Sequence, residues 1–203
     1  MKTTIEITMY GLVISFAIFF FAAAILTAHF FTPAAYHWTT NTISDLAAQN
    51  YDNAWIMRTG FIGFGILLDI GIFLKFYQTK SINPADVLVI IYGLAILSSG
   101  IFPTAPFDGS TDYSLTADKL HSIFAQTAGV SLSIGVLVYL LSAHGRIKLF
   151  HLLFLILIIG ISALFGLSKN AVVNIDYGII QRSLYLVSFL WLLLVYNIKI
   201  YKI

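Results

Sequence analysis

Six runs of about 20 consecutive apolar residues dominate this chain, each matching the length an α-helix needs to cross a hydrocarbon core of about 30 Å. They occupy residues 10–31, 55–77, 86–102, 118–142, 149–168 and 178–199. Lipid cannot hydrogen-bond a bare backbone, so such runs must form helices or a closed barrel. They are continuously apolar and lack the alternation of a barrel wall, which leaves helices. The rest of the composition agrees: 59% of residues are hydrophobic and 10% charged, whereas a soluble domain carries about 25% charged residues. The expected fold is therefore an all-α membrane protein, a single domain over residues 1–203 built as a bundle of six transmembrane helices. The first run exceeds the roughly 7–15 apolar residues of a cleavable signal sequence and is read as a span.

The polar remainder limits partners and sets an orientation. A formal charge of +2 without any basic cluster argues against nucleic acid as a partner. The absence of cysteine removes disulfides, thiolate chemistry and cysteine metal sites. With six spans, Lys2, Lys75, Lys80, Arg146, Lys148, Lys199 and Lys202 fall on one side. By the excess of cations in cytoplasmic loops, both termini are expected to be cytoplasmic, in a multi-pass protein of the cell membrane. The opposite side holds Arg58, Lys119, Lys169 and Arg182 with most of the acids. Pro103 and Pro106 stop the third run and make the connection after it an ordered turn or short re-entrant cap. No inverted repeat of the transporter kind is evident.

Several polar side chains converge on that acid-rich side. Arg58 lies one turn into the second helix, His121 one turn into the fourth, and Arg182 one turn into the sixth beside Gln181. Asp118 and His121, three residues apart, share a helical face. A charge at the bilayer centre costs roughly 2.5–3.5 kcal/mol on insertion scales, so such groups need partners or water. Asp45 and Asp108, in the first and third connections, are the natural counter-charges. The stretch "NTISDLAAQN" is expected to start a short external helix or cap that presents Asp45 toward Arg58 or Arg182.

Each residue also has a purely structural reading. Thr42 and Asp45 fit a capping box. Ser44 has no activating base near it in sequence. Arg58 and Arg182 could snorkel to lipid phosphates, His121 could bond a neighbouring helix, and Asp108 precedes Gly109 as turn residues do. Asp69 is the one acid well inside a span, which makes it a functional candidate by default. Gly60, Gly63, Gly65 and Gly71 suit close helix approach.

Four motifs, "ISDLAAQ", "MRTGFIGFG", "GIFPTAPFDG" followed by "DKLH", and "GIIQRSLYLVSFLWLLL", occur in this order along nearly the whole chain. Together they resemble the bacterial and archaeal membrane family described as domain of unknown function 998. The resemblance implies six helices and a recurring polar set: Ser44, Asp45, Arg58, Pro103 with Asp108, His121 and Arg182. The layout is more distantly similar to eukaryotic Frag/DRAM/Sfk-type proteins, some linked to lipid-anchor remodelling and lipid asymmetry, which favours membrane lipids as partners.

Three functions follow as expectations. In the first, Arg58 and Arg182 hold an anionic lipid headgroup, with Ser44 and Asp108 at the same site, while His121 and Asp45 act as acid and base if the lipid is modified. The second is a non-enzymatic scaffold or small-solute carrier whose polar residues lock helices together. The third is a metal-dependent membrane hydrolase using His29, His37, His121 and Asp45, although catalytic zinc commonly takes three protein ligands and no HxxxH pair is present. No cofactor or bound metal is otherwise implied, and the oligomeric state stays open, a homo-oligomer included.

Overall fold

The computed structural model describes residues 8–169 and 172–197. Lys2, Lys199, Lys202 and the side chain of Lys169, all used above to orient the chain, lie outside the described residues. Six helices, each long and apolar enough to cross a membrane, follow one another: α1 (Met9–His29), α2 (Ala54–Thr79), α3 (Pro84–Ile101), α4 (Leu115–Ser142), α5 (Gly145–Lys169) and α6 (Tyr177–Asn197). No strand occurs among the described residues. The protein is a multi-pass membrane protein.

Local chemistry fixes the helix ends. The Thr8, Asn83 and Ser114 side chains accept hydrogen bonds from the first free N–H groups of α1, α3 and α4. Pro84 opens α3 with a φ already suited to helix. Capped by Ser114, α4 starts at Leu115, three residues before the expected Asp118, because a capping hydroxyl rather than the apolar run sets its entry. Gly145 likewise starts α5 before residue 149, where the apolar run begins.

The helices pack in chain order around a ring, with α6 closing against α1. Phe21 is its aromatic centre: the rings of Phe61, Phe64, Tyr185 and Phe189 lie 5.1–5.4 Å from it, edge-on or tilted. Glycines of α2 let backbones approach. Gly60, Gly63 and Gly71 meet Ala24, Phe20 and Ile14 of α1, and Gly65 meets the backbone of Gly93 in α3. Helix α5 is held more sparsely, burying little beyond the stripe His151, Phe154 and Ile158. That loose seating leaves space between α4, α5 and α6.

The connections α1–α2, α3–α4 and α5–α6 share one end of the bundle, here called the cap end. The first contains a 3-10 helix, Ser44–Ala47. Exposed Trp38 and Trp55 flank it, as expected of aromatic residues at a membrane interface.

Candidate functional site

The Thr42–Asp45 segment folds as the capping box that its sequence suggested. The Thr42 N–H donates to Asp45 Oδ2 at 2.7 Å, and the Asp45 N–H donates to Thr42 Oγ1 at 3.1 Å. Burial pushes the Asp45 carboxyl above the usual carboxylate range, against the bonds from Thr42 that lower it.

Helix α6 holds this segment through two adjacent side chains. Gln181 Oε1 accepts the N–H groups of Ile43 (2.6 Å) and Ser44 (3.3 Å). Because that oxygen serves two donors, the amide orientation is fixed, and Nε2 donates to Ser44 Oγ at 3.1 Å. The Ser44 hydroxyl proton is left free to be donated elsewhere. Arg182 donates to the carbonyls of Asn41 (2.8 Å) and Gly178 (3.0 Å), to the Tyr36 hydroxyl (2.7 Å) and to His29 Nε2 (3.3 Å). His29 Nδ1 meets the Ile25 carbonyl at 2.7 Å, so Nδ1 is the donor and Nε2 the acceptor. Gly178 permits this contact, since a Cβ there would collide with the carbonyl oxygens of Trp38, Thr39 and Asn41. Burial raises the Tyr36 hydroxyl above its ordinary value despite the adjacent guanidinium.

The α3–α4 connection is tied in as well. Gln49 exchanges hydrogen bonds with the backbone of Ser114 (2.8 and 3.0 Å), and its own N–H donates to the Thr104 carbonyl at 3.0 Å. Asp118 accepts from Thr104 Oγ1 and the Ala105 N–H. Two residues complete the last turn of α3. Arg58 donates to the carbonyls of Gly100 (3.1 Å) and Ile101 (3.2 Å), and His121 Nδ1 faces those of Ser99 (3.0 Å) and Phe102 (2.9 Å). These carbonyls have no helical partner and need donors. Nδ1 therefore carries a proton, and no hydrogen bond among the described residues involves Nε2.

Beneath the cap lies a cleft of about 740 Å³, within the range of ligand pockets. Thr42, Ser44, Asp45, His121 and Gln181 line its polar end. It then runs between α3, α4, α5 and α6 past Gly129, Leu132, Ile134, Ile158 and Leu184. From His121 to Ile134 along α4 this spans about 20 Å, some two-thirds of a hydrocarbon core of about 30 Å.

Of the residues expected to form a site, the cleft thus brings together Ser44, Asp45 and His121. Arg58, Arg182 and Asp108 do not line it. Asp45 forms no ion pair with either arginine among the described residues; the guanidinium groups instead serve the carbonyls of Gly100, Ile101, Asn41 and Gly178. Asp108 is exposed and closes a turn by accepting the Ser110 N–H at 2.9 Å, a contact that holds its carboxyl below the usual range. The His29 and His121 rings serve separate partners, and no group of three His, Cys, Asp or Glu side chains among the described residues, His37 included, is placed to share a metal.

At the opposite end, four helices meet on a carboxylate that the sequence reading had taken only as the start of a span. Asp86, fully buried, pairs with Lys75 at 2.6 Å and accepts from the hydroxyls of Tyr139 (2.7 Å) and Tyr196 (2.8 Å). Lys75 also donates to Tyr139 at 3.1 Å and lies 5.1 Å from the Tyr196 ring centroid. It is the one salt bridge among the described residues. Asp69 does not join it, lying instead against Gly93 with Oδ1 unpaired.

The chain belongs to the family described as protein of unknown function DUF998, whose model matches residues 15–196. No curated protein and no solved structure matches it.

Proposed function

We propose that this protein binds a membrane lipid in the cleft beneath the cap, its polar head against Ser44, Asp45, His121 and Gln181 and its chain along α4, α5 and α6. The observation that carries the reading is the cleft itself: one end polar with unused hydrogen-bonding capacity, the remainder apolar and flanked by the loosely held α5. A water-soluble solute would gain little from the apolar length, whereas an amphiphile matches both parts. Arg58 and Arg182 act as positioning residues that hold α3 and the cap in place. The excess of cations at the opposite end (Lys75, Lys80, Arg146, Lys148) favours a cytoplasmic location for that end and for both termini, with the cap extracytoplasmic. Modification of the bound lipid is the chemical extension of this reading, with His121 Nε2 as the group able to take a proton and Ser44 as the hydroxyl able to give one.

The test uses Gly129→Phe, since a side chain built at Gly129 meets nothing within 4 Å and enters the open cleft. Native mass spectrometry of the detergent-purified protein is expected to show a retained lipid in the wild type and none in the variant, with both folded. Equal retention in the two, or none in either, would contradict the reading and favour a scaffold or carrier whose polar residues are interhelical locks.

A further inference from the structure

The cleft carries a second tier of polar groups below its polar end. Tyr92 is 3% exposed and lines the cleft, yet its hydroxyl makes no hydrogen bond among the described residues. The Tyr185 hydroxyl, on the facing α6, also lines the cleft without a bond. On α5, the buried Ser162 Oγ has no partner. Ser162 Oγ is buried without a partner, where a hydroxyl is ordinarily hydrogen-bonded; the Tyr92 and Tyr185 hydroxyls, unbonded and open to the cleft, add two donors that an occupant's acceptor can meet. Tyr185 is four residues below Gln181, and Tyr92 seven residues below Ser99, whose carbonyl meets His121. The tier therefore lies about 6–10 Å beneath the polar end.

The polar end has the opposite need. No lysine or arginine is among its described lining residues. It presents the Asp45 carboxyl and His121 Nε2, both able to accept. A phosphate there would meet a carboxylate and no cation, a like-charge contact in a poorly hydrated site.

Resting on the lipid-binding reading above, we infer that the ligand is an acylated amphiphile: its head donates hydrogen bonds and carries no net negative charge, and an ester or amide carbonyl accepts from Tyr92, Tyr185 and Ser162. The head's donors meet Asp45 and His121, and the linkage carbonyl sits at the level of the unused hydroxyls. A linkage of this kind is the ordinary acceptor just below the head of an acyl lipid, and a plain hydrocarbon chain would leave all three hydroxyls unpaired.

The experiment measures dissociation constants of the full-length protein in nanodiscs for four probes: a diacylglycerol, its dialkyl ether analogue, an N-acyl amino alcohol and a phosphatidic acid of matched chains. Wild type is expected to bind the ester, the amide or both about tenfold more tightly than the ether, the effect of one to two hydrogen bonds to a buried carbonyl, and phosphatidic acid least well. The two carbonyl probes separate an ester from an amide source. The double variant Tyr92→Phe/Tyr185→Phe keeps the rings and should erase the preference for a carbonyl while the ether analogue binds unchanged. Ether binding equal to both carbonyl probes in the wild type, or phosphatidic acid binding as tightly as they do, overturns the inference. If those results appear with binding still abolished by Gly129→Phe, lipid occupancy of the cleft survives and only the ligand class fails. If no probe binds, or binding ignores Gly129→Phe, both fail.

Discussion

The two ends of the bundle both gather polar side chains from several helices, but they differ in saturation. Around Asp86, which is fully buried, each oxygen is taken, by Lys75 on one side and by Tyr139 and Tyr196 on the other. Asp45 and His121 line a cleft, and no hydrogen bond among the described residues involves His121 Nε2. A saturated cluster is a lock, whereas an unsaturated one beside an apolar cleft has the properties of a binding site. Arginine, lysine and aspartate in a membrane protein thus cannot be assigned a role by depth alone. What their partners leave unused decides.

This contrast predicts a graded series of effects on stability. The largest belongs to Asp86→Ala, which strands Lys75 and two tyrosine hydroxyls: a loss of about 3–5 kcal/mol, the range for breaking a buried ion pair, measured by thermal unfolding in detergent. A change under about 1 kcal/mol, the scale of an exposed pair, would erase the distinction between the ends. Next is Arg182→Ala. It leaves the Asn41 carbonyl without a donor and removes one of the two side chains that hold the first connection to α6, costing about 1–3 kcal/mol. Hydrogen exchange should rise across residues 36–48 and stay unchanged around Asp86. Smaller again is Arg58→Ala, about 1 kcal/mol, with exchange increasing only in the last turn of α3, because His121 still holds the Ser99 and Phe102 carbonyls.

The smallest effect is one of pH. Burial raises the Asp45 carboxyl in the folded state, so the fold binds that proton more tightly than the unfolded chain does. This contribution to stability is present below the ordinary carboxylate range and is lost as pH rises through the raised value. The melting temperature should therefore fall slightly across that window, and Asp45→Asn, which still accepts from the Thr42 N–H, should flatten the fall. An unaltered slope in the variant would remove Asp45 as its source.

How far the sequence disclosed this arrangement varies by residue. The six helices were legible because the bilayer demands long apolar runs, and interior packing changes only where each helix begins and ends. Side and depth grouped His121 with Arg58 and Arg182, and Asp45 with Asp108 as counter-charges; the cleft instead sets His121 with Ser44 and Asp45, because the fold of the first connection decides which side chains face it. The roles of Arg58 and Arg182 were not legible, because the bare carbonyls they serve belong to helix ends and loops elsewhere in the chain, at Gly100 and Asn41. Asp86 was hidden for the same reason: its partners lie 11, 53 and 110 residues away. A faint signal existed, since Lys75 is near the end of one span and Asp86 near the start of the next, which brings them to one level of adjacent antiparallel helices. Tyr92, Tyr185 and Ser162 gave no signal, as a hydroxyl within an apolar run does not disclose whether it is bonded.

The most direct test compares the two ends in one experiment. A photoreactive p-benzoylphenylalanine is installed at Ala163, in the cleft, or at Phe76, beside Lys75, in otherwise intact protein purified from membranes through detergent exchange. Illumination followed by intact mass analysis should give a covalent lipid adduct at Ala163 and none at Phe76. Adducts of equal yield at both positions, or none at Ala163, would contradict the account that the cap end is a lipid site and the Asp86 end a lock.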